Sequence, residues 1–185
     1  MFILASASLS RRQLLKGYRF RVVPSGVREV RRATLRATCM ANARLKAGAV
    51  AKRFPLEWVL AADTMIATRG RIYGKPRDRK SAVRLLRTLS GTTHLLGTGV
   101  VLQKGTFRIE RFVTSKVTFH DDPPIDKIVA RTDPTKFAGG YAIRRKKDPL
   151  VARIEGSISN VIGLPMEIVG PLLNVSPGIS GSPGS

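Results

Sequence analysis

The sequence predicts an α/β protein, a mixed twisted sheet flanked by helices, and three observations carry that expectation. Short apolar runs alternate with helical patterns through the first half of the chain. The middle is rich in Val, Thr and Phe, residues that suit a pleated, half-buried surface. Apolar residues make up 43% of the 185, which is ordinary for a folded chain and too high for a disordered one. That length supports one domain, or two small lobes sharing a cleft. No internal repeat is visible.

The elements follow from local patterns. "FILA" at residues 2–5 reads as a short buried strand, and "SRRQLLKG" as a helix ended by Gly17. "FRVVPS" alternates charged and apolar residues like a second strand, stopped at Pro24. Over residues 34–53, Leu35, Cys39, Ala43, Lys46 and Val50 recur at spacings of three and four, which predicts a long helix. "EWVLAA" is a buried strand ending on Asp63, and Asp78 sits where an N-cap belongs before "AVRLLRTLSG". "THLLGTGVVLQ", "TFRIERFVT" and "SKVTFH" predict three strands, the first two joined by a turn at Lys104-Gly105. "DDPPIDKIVART" opens a helix with prolines at its first turn. "FAGGYAI" and "IEGSISNVIGLP" read as glycine-bearing loops, and "PMEIVGPLL" as a last helix. From Asn174 onward the chain lacks charge and periodicity, so residues 1–173 are expected to fold and 174–185 to form a disordered tail.

Thirty-three Lys and Arg against twelve Asp and Glu give a net charge of +21, which favours polyanionic partners. One cysteine, Cys39, excludes an intramolecular disulfide; inside a helical pattern it reads as a small buried hydrophobe. The charges near the start follow the apolar residues, the reverse of a signal peptide, and no apolar run approaches the roughly 20 residues of a membrane span. A cytoplasmic protein without membrane contact is expected.

Several residues could carry chemistry. Asp63 is a carboxylate at the expected carboxyl end of a strand, where ligands of open α/β sheets bind; a turn-forming Asp is the plain alternative. "SASLSRR" puts hydroxyls and guanidinium groups at a helix N-terminus, as an anion site or as simple capping by Ser8 or Ser10. Lys75, before Pro76, and Lys46, flanked by Arg44 and Lys52, could equally be solvated charges. His94 and His120 lack a partner at metal-ligand spacing and read as structural.

The order of these pieces says more than any one alone. "SASxxRR", "VVPSxxxE", "NARLKAGAVA", "ADTMI", "GKPRD", "LSGTTHxxxTGV", "AGGYAI" and "IEGSISNVIGLP" succeed one another over residues 2–173. Together they resemble the Maf family of nucleoside triphosphate pyrophosphatases. The resemblance implies a fold related to the inosine triphosphate pyrophosphatases, with two lobes around a nucleotide cleft. It implies cleavage between the α and β phosphates with a divalent metal, Mg²⁺ or Mn²⁺, and a homodimer. By position, Asp63 matches the general base and, with Glu29, the metal site. Ser8, Arg11, Lys46 and Lys75 match substrate-binding residues, while Ser10, Thr64 and Arg144 fall at substrate-selecting positions. Glu29, Asp63, Asp78 and Glu155 occupy acidic positions of the pattern. "AGGYAI" resembles the branch acting on dTTP and UTP, not the one acting on 7-methylguanosine triphosphate.

The chain departs from the pattern in three places. Leu9-Ser10 replaces Pro-Arg, Gly26 and Arg28 replace an acidic pair, and Arg144 stands where Gln is common. Arg can only donate hydrogen bonds where Gln both donates and accepts, so relaxed pyrimidine discrimination is expected. The charge and the "RRKK" run at 144–147 support a rival reading: a basic nucleic-acid-binding protein on the same fold, with weak or lost catalysis. A steep salt dependence of binding would mark that second role.

Overall fold

The first apolar run forms strand β1 (Phe2–Leu4), and the hydroxyl of Ser8 caps the short helix α1 (Leu9–Leu14) behind it. This is a computed structural model, and it describes residues 1–143 and 148–176. β2 (Phe20–Val22) follows, then the long helix α2 (Leu35–Arg53), N-capped by Thr34. β3 (Val59–Thr68) turns into the short β4 (Arg71–Tyr73), and Asp78 caps α3 (Arg79–Leu89) in a reciprocal box with Ser81. β5 (Thr93–Lys104) and β6 (Phe107–Phe119) form a long hairpin. α4 (Ile125–Arg131), β7 (Val151–Glu155), α5 (Ile158–Ile162) and α6 (Met166–Val175) follow.

Among the described residues seven strands make one mixed sheet in the order β2-β1-β3-β5-β6-β7, with β4 added to the far end of β3. β1 runs parallel to both β2 and β3; the remaining pairs are antiparallel. One face of β3 and β5 carries Ala61 and Val101 against α2, in a core with Ile3, Ala43, Ala47 and Val50. The other face holds two apolar clusters. Leu60, Ala62, Val100 and Leu102 pack with Leu15, Leu164 and Val169; Ile66, Leu96, Val117 and Phe119 pack with Leu86, Leu89 and Tyr141. Thr64 and Thr98 lie between those clusters by strand alternation, and they form a polar seam.

Four expectations need correction. Asp63 does not end its strand: β3 continues to Thr68, because β5 pairs with it from Val59 to Ala67 and keeps its backbone bonded. β1 pairs with β3 only as far as Leu60 and β4 pairs with it only from Ile66, so Asp63 sits where β3 has no neighbour on one side. "TFRIERFVT" and "SKVTFH" are one continuous strand, β6. "IEGSISNVIGLP" is not a loop, since it contains the end of β7 and α5, whose N-cap is Ser157. The last helix runs through Pro171 to Val175, past the expected boundary at 173; the buried Ser176 donates to the Leu172 carbonyl at 2.7 Å. The remainder of the expected tail, 177–185, lies outside the described residues, as does the basic run 144–147.

Two glycines let α2 lie close to the sheet. A Cβ at Gly99 would stand 2.7 Å from the Cys39 carbonyl oxygen, and one at Gly97 would meet Phe112 at 2.8 Å and Leu35 at 3.0 Å. That approach brings α2 side chains to Asp63. Cys39 is fully buried, and burial together with nearby Asp63 pushes its thiol up to about 12, so it packs and does not react. No helix among the described residues is long and apolar enough to cross a membrane.

His94 is structural in this fold. Its Nε2 lies 2.8 Å from the Tyr141 hydroxyl, and its ring meets Phe119 edge-on. Burial pushes its pKa down to about 4, against about 6.5 for a free histidine. The unfolded chain therefore binds a proton in this window that the folded one refuses, and stability falls as pH drops from 6.5 towards 4. The contribution amounts to roughly 3 kcal/mol. His94→Gln should flatten that part of the pH dependence in urea unfolding; an unchanged difference between pH 7 and pH 4.5 would contradict it.

Candidate active site

Asp63 is the centre of the site, 3% exposed, on the face of β3 that α2 covers. Its Oδ1 accepts from Lys46 Nζ at 2.6 Å, and its Oδ2 accepts from Asn42 Nδ2 at 3.0 Å. Lys46 also reaches Glu29 Oε1 at 2.6 Å, so one ammonium bridges two carboxylates. Glu29 comes from the segment between β2 and α2, which has neither helix nor strand, and its side chain is half exposed. Partial burial pushes the Glu29 carboxyl up, but Lys46, Lys75 and Arg11 together outweigh it and hold the group below the usual carboxylate range. Lys46 sits on α2 about one turn beyond Asn42, so the two present their polar ends to the same place.

Lys75 approaches from the loop after β4. Surrounding protein and the cations of Arg11 and Lys46 lower its pKa, partly offset by the pull of Glu29 and Asp63. The "AGGYAI" segment docks against this loop: the Gly139 amide donates to the Gly74 carbonyl at 3.0 Å, with Gly139 at φ 73°. That left-handed backbone favours glycine.

Arg11, which by the resemblance matches a substrate-binding residue, has a buried guanidinium that hydrogen-bonds within the protein. Nε donates to the Gly163 carbonyl at 2.9 Å, Nη1 to Ser6 Oγ at 3.1 Å and Nη2 to Thr64 Oγ1 at 3.1 Å. Burial lowers its pKa, while Asp63 and Glu29 draw it back up. Thr64 Oγ1 lies 3.0 Å from Thr98 Oγ1, so Thr64 is held from both sides. Ser8 serves as the cap of α1, its Oγ accepting from the Arg11 amide at 3.4 Å. Ser10 is half-buried on α1, and its side chain makes no hydrogen bond among the described residues. Arg144 lies outside the described residues.

Only two of the four pattern acids converge. Asp78 is exposed and engaged in capping α3, and Glu155 pairs at the sheet edge with Arg153 at 3.4 Å and Lys116 at 3.8 Å. Sequence reasoning missed Asn42, Ser6 and Thr98. Asn42 carried one usable signal, a polar residue at helical spacing between Thr38 and Lys46.

The mixed sheet and a buried carboxylate on β3, paired with Lys46 where β1 no longer pairs with that strand, define an α/β protein with acid and cation gathered at one point of its sheet. The chain belongs to the Maf family: the family profile described as Maf-like protein matches residues 1–175. It is similar to a "dTTP/UTP pyrophosphatase" of Myxococcus xanthus, 41% identical over 172 residues covering 90% of this chain and 87% of the relative. It is also similar to proteins of the same name from Pyrococcus furiosus, 35% identical with 94% of each chain covered. A third, from Latilactobacillus sakei, is 37% identical, covering 94% of this chain and 99% of the relative.

Proposed function

We propose that this chain hydrolyses nucleoside triphosphates between the α and β phosphates, releasing a monophosphate and pyrophosphate, with dTTP and UTP as its substrate class. The observation that carries this reading is the convergence of Asp63, Glu29 and Lys46 within 2.6 Å contacts where β3 loses its neighbour. The printed names of the relatives support the choice of substrate.

In this reading Asp63 Oδ1 takes a proton from water as the water oxygen bonds to phosphorus and the anhydride P–O bond breaks, with pyrophosphate leaving. Lys46 and Lys75 supply positive charge for the phosphate oxygens, and Arg11 holds Thr64 in place instead of reaching the substrate. The donor set also fits a hard divalent cation, which can be held by one or two carboxylates completed by substrate phosphates and water. Glu29 and Asp63 would hold it; no group of three potential ligands occurs among the described residues. Such an ion, when bound, neutralises charge on the phosphates. The folded unit acts as one catalytic domain in the cytoplasm, where these nucleotides occur.

The test is a panel of dTTP, UTP and 7-methylguanosine triphosphate with Mg²⁺ or Mn²⁺, read as pyrophosphate. Release from dTTP or UTP is expected to exceed that from the methylated purine. Equal or better use of 7-methylguanosine triphosphate would overturn the substrate assignment. Glu29→Gln should raise the metal concentration needed for half-maximal rate, because hard cations prefer charged oxygens. A superimposable metal titration would remove Glu29 from the metal role.

A further inference from the structure

Asn42 lies on the buried face of α2 and is 0% exposed. Both ends of its carboxamide are engaged. Nδ2 donates to Asp63 Oδ2 at 3.0 Å, and Oδ1 accepts from the Val30 amide at 2.7 Å. These partners determine the orientation of the amide, since reversing it would set oxygen against carboxylate and N–H against N–H. Val30 directly follows Glu29. One side chain is therefore bonded to the proposed base and to the backbone of the second acid's segment.

We propose that Asn42 is a positioning residue, whose carboxamide fixes how the Asp63 and Glu29 carboxylates face one another. The inference rests on the catalytic reading of Asp63 given above. Lys46 makes a similar double contact one turn along α2, but through the oxygen and the charge that the chemistry needs. While Asp63 Oδ1 accepts a proton and Lys46 serves a phosphate oxygen, the Lys46 tie cannot also be held. Asn42 uses the opposite oxygen, Oδ2, and a backbone amide, so its tie persists through the reaction.

Thr38, one turn earlier and also fully buried, supplies an internal control. Its Oγ1 accepts from the Arg32 amide at 3.0 Å and donates to the Arg32 carbonyl at 3.2 Å. It fastens the same segment without touching Asp63.

The experiment compares Asn42→Leu, Asn42→Asp and Thr38→Val in the full chain, with folding checked by circular dichroism and thermal melting. Residues that orient a site's working groups typically cost about 10- to 100-fold when changed, and Asn42→Leu should lower kcat by that amount. The KM for nucleotide should move far less. Mn²⁺ binding without nucleotide, followed by electron paramagnetic resonance, should weaken, and hydrogen exchange at the Val30 amide should quicken. Asn42→Asp retains an acceptor for Val30 but loses the donor to Asp63. It should keep Val30 protected and still lose kcat, which also decides the matter if Asn42→Leu does not fold. Thr38→Val should keep kcat within a few-fold. Wild-type kcat in Asn42→Asp, or equal losses in Thr38→Val and Asn42→Leu, would overturn the proposal, the latter leaving a loop fastener only. If the wild type released no pyrophosphate from any triphosphate, the catalytic reading would fall by itself. Mn²⁺ binding and Val30 exchange would still report whether Asn42 sets the geometry of the acids.

Discussion

Asp63→Asn is expected to cut pyrophosphate release by about 10²- to 10⁴-fold, the range associated with losing a general base. The substitution is nearly isosteric, so the packing of α2 on the sheet should survive. An amide oxygen can still accept from Lys46, yet it cannot take up the proton of an attacking water. Lys46 also keeps Glu29 as a partner at 2.6 Å, which limits the structural damage. The measurement is kcat at saturating nucleotide and metal, with thermal melting as the control for folding. Wild-type turnover in a well-folded Asp63→Asn protein would mean that another group activates the water.

Lys46→Met carries the second large effect, and it acts on stability and rate together. It removes both ion pairs at once while keeping the length of the stem. Asp63 is almost fully buried, and removing one partner of a buried pair typically costs about 3–5 kcal/mol. The bond from Asn42 to Oδ2 remains and should keep the loss near the lower end. The rate should fall by about 10²- to 10³-fold, as when one preorganised electrostatic group is removed from a reaction site. Metal should act in the opposite sense to Glu29→Gln: two carboxylates without their cation should bind Mn²⁺ more readily. The rise in melting temperature on adding Mn²⁺ should therefore exceed that of the wild type. A variant with unchanged melting, turnover and metal response would show that Lys46 is a solvated surface charge.

Much of the fold was legible because helices and strands write their periods into neighbouring residues. α2 begins and ends within a residue of its predicted limits, with Thr34 as its cap, and Asp78 caps α3 as expected. Strand ends were harder. Asp63 reads as a stop because a charged residue rarely continues a buried strand; only pairing with Gly99 of β5 carries the chain on to Thr68. The short β4 and β7 escaped because they lie among charged and glycine-bearing stretches that read as loops.

The candidate site divides along a similar line. Asp63, Glu29, Lys46 and Lys75 are singled out by the order of motifs that resembles the family, since Asp63 alone reads equally as a turn former and the lysines as solvated charges. The sequence by itself determined the family, the α/β class and which charges were available. Tertiary structure decided what those charges do. It turned Arg11 inward onto Gly163 and Thr64, left Asp78 and Glu155 on the surface, and set Asn42 between Asp63 and Val30. These outcomes depend on bonds between residues far apart in the chain, whose geometry exists only once α2 has packed against Gly97 and Gly99 of the sheet. Local pattern records the period of an element, and a long-range hydrogen bond leaves no period to read.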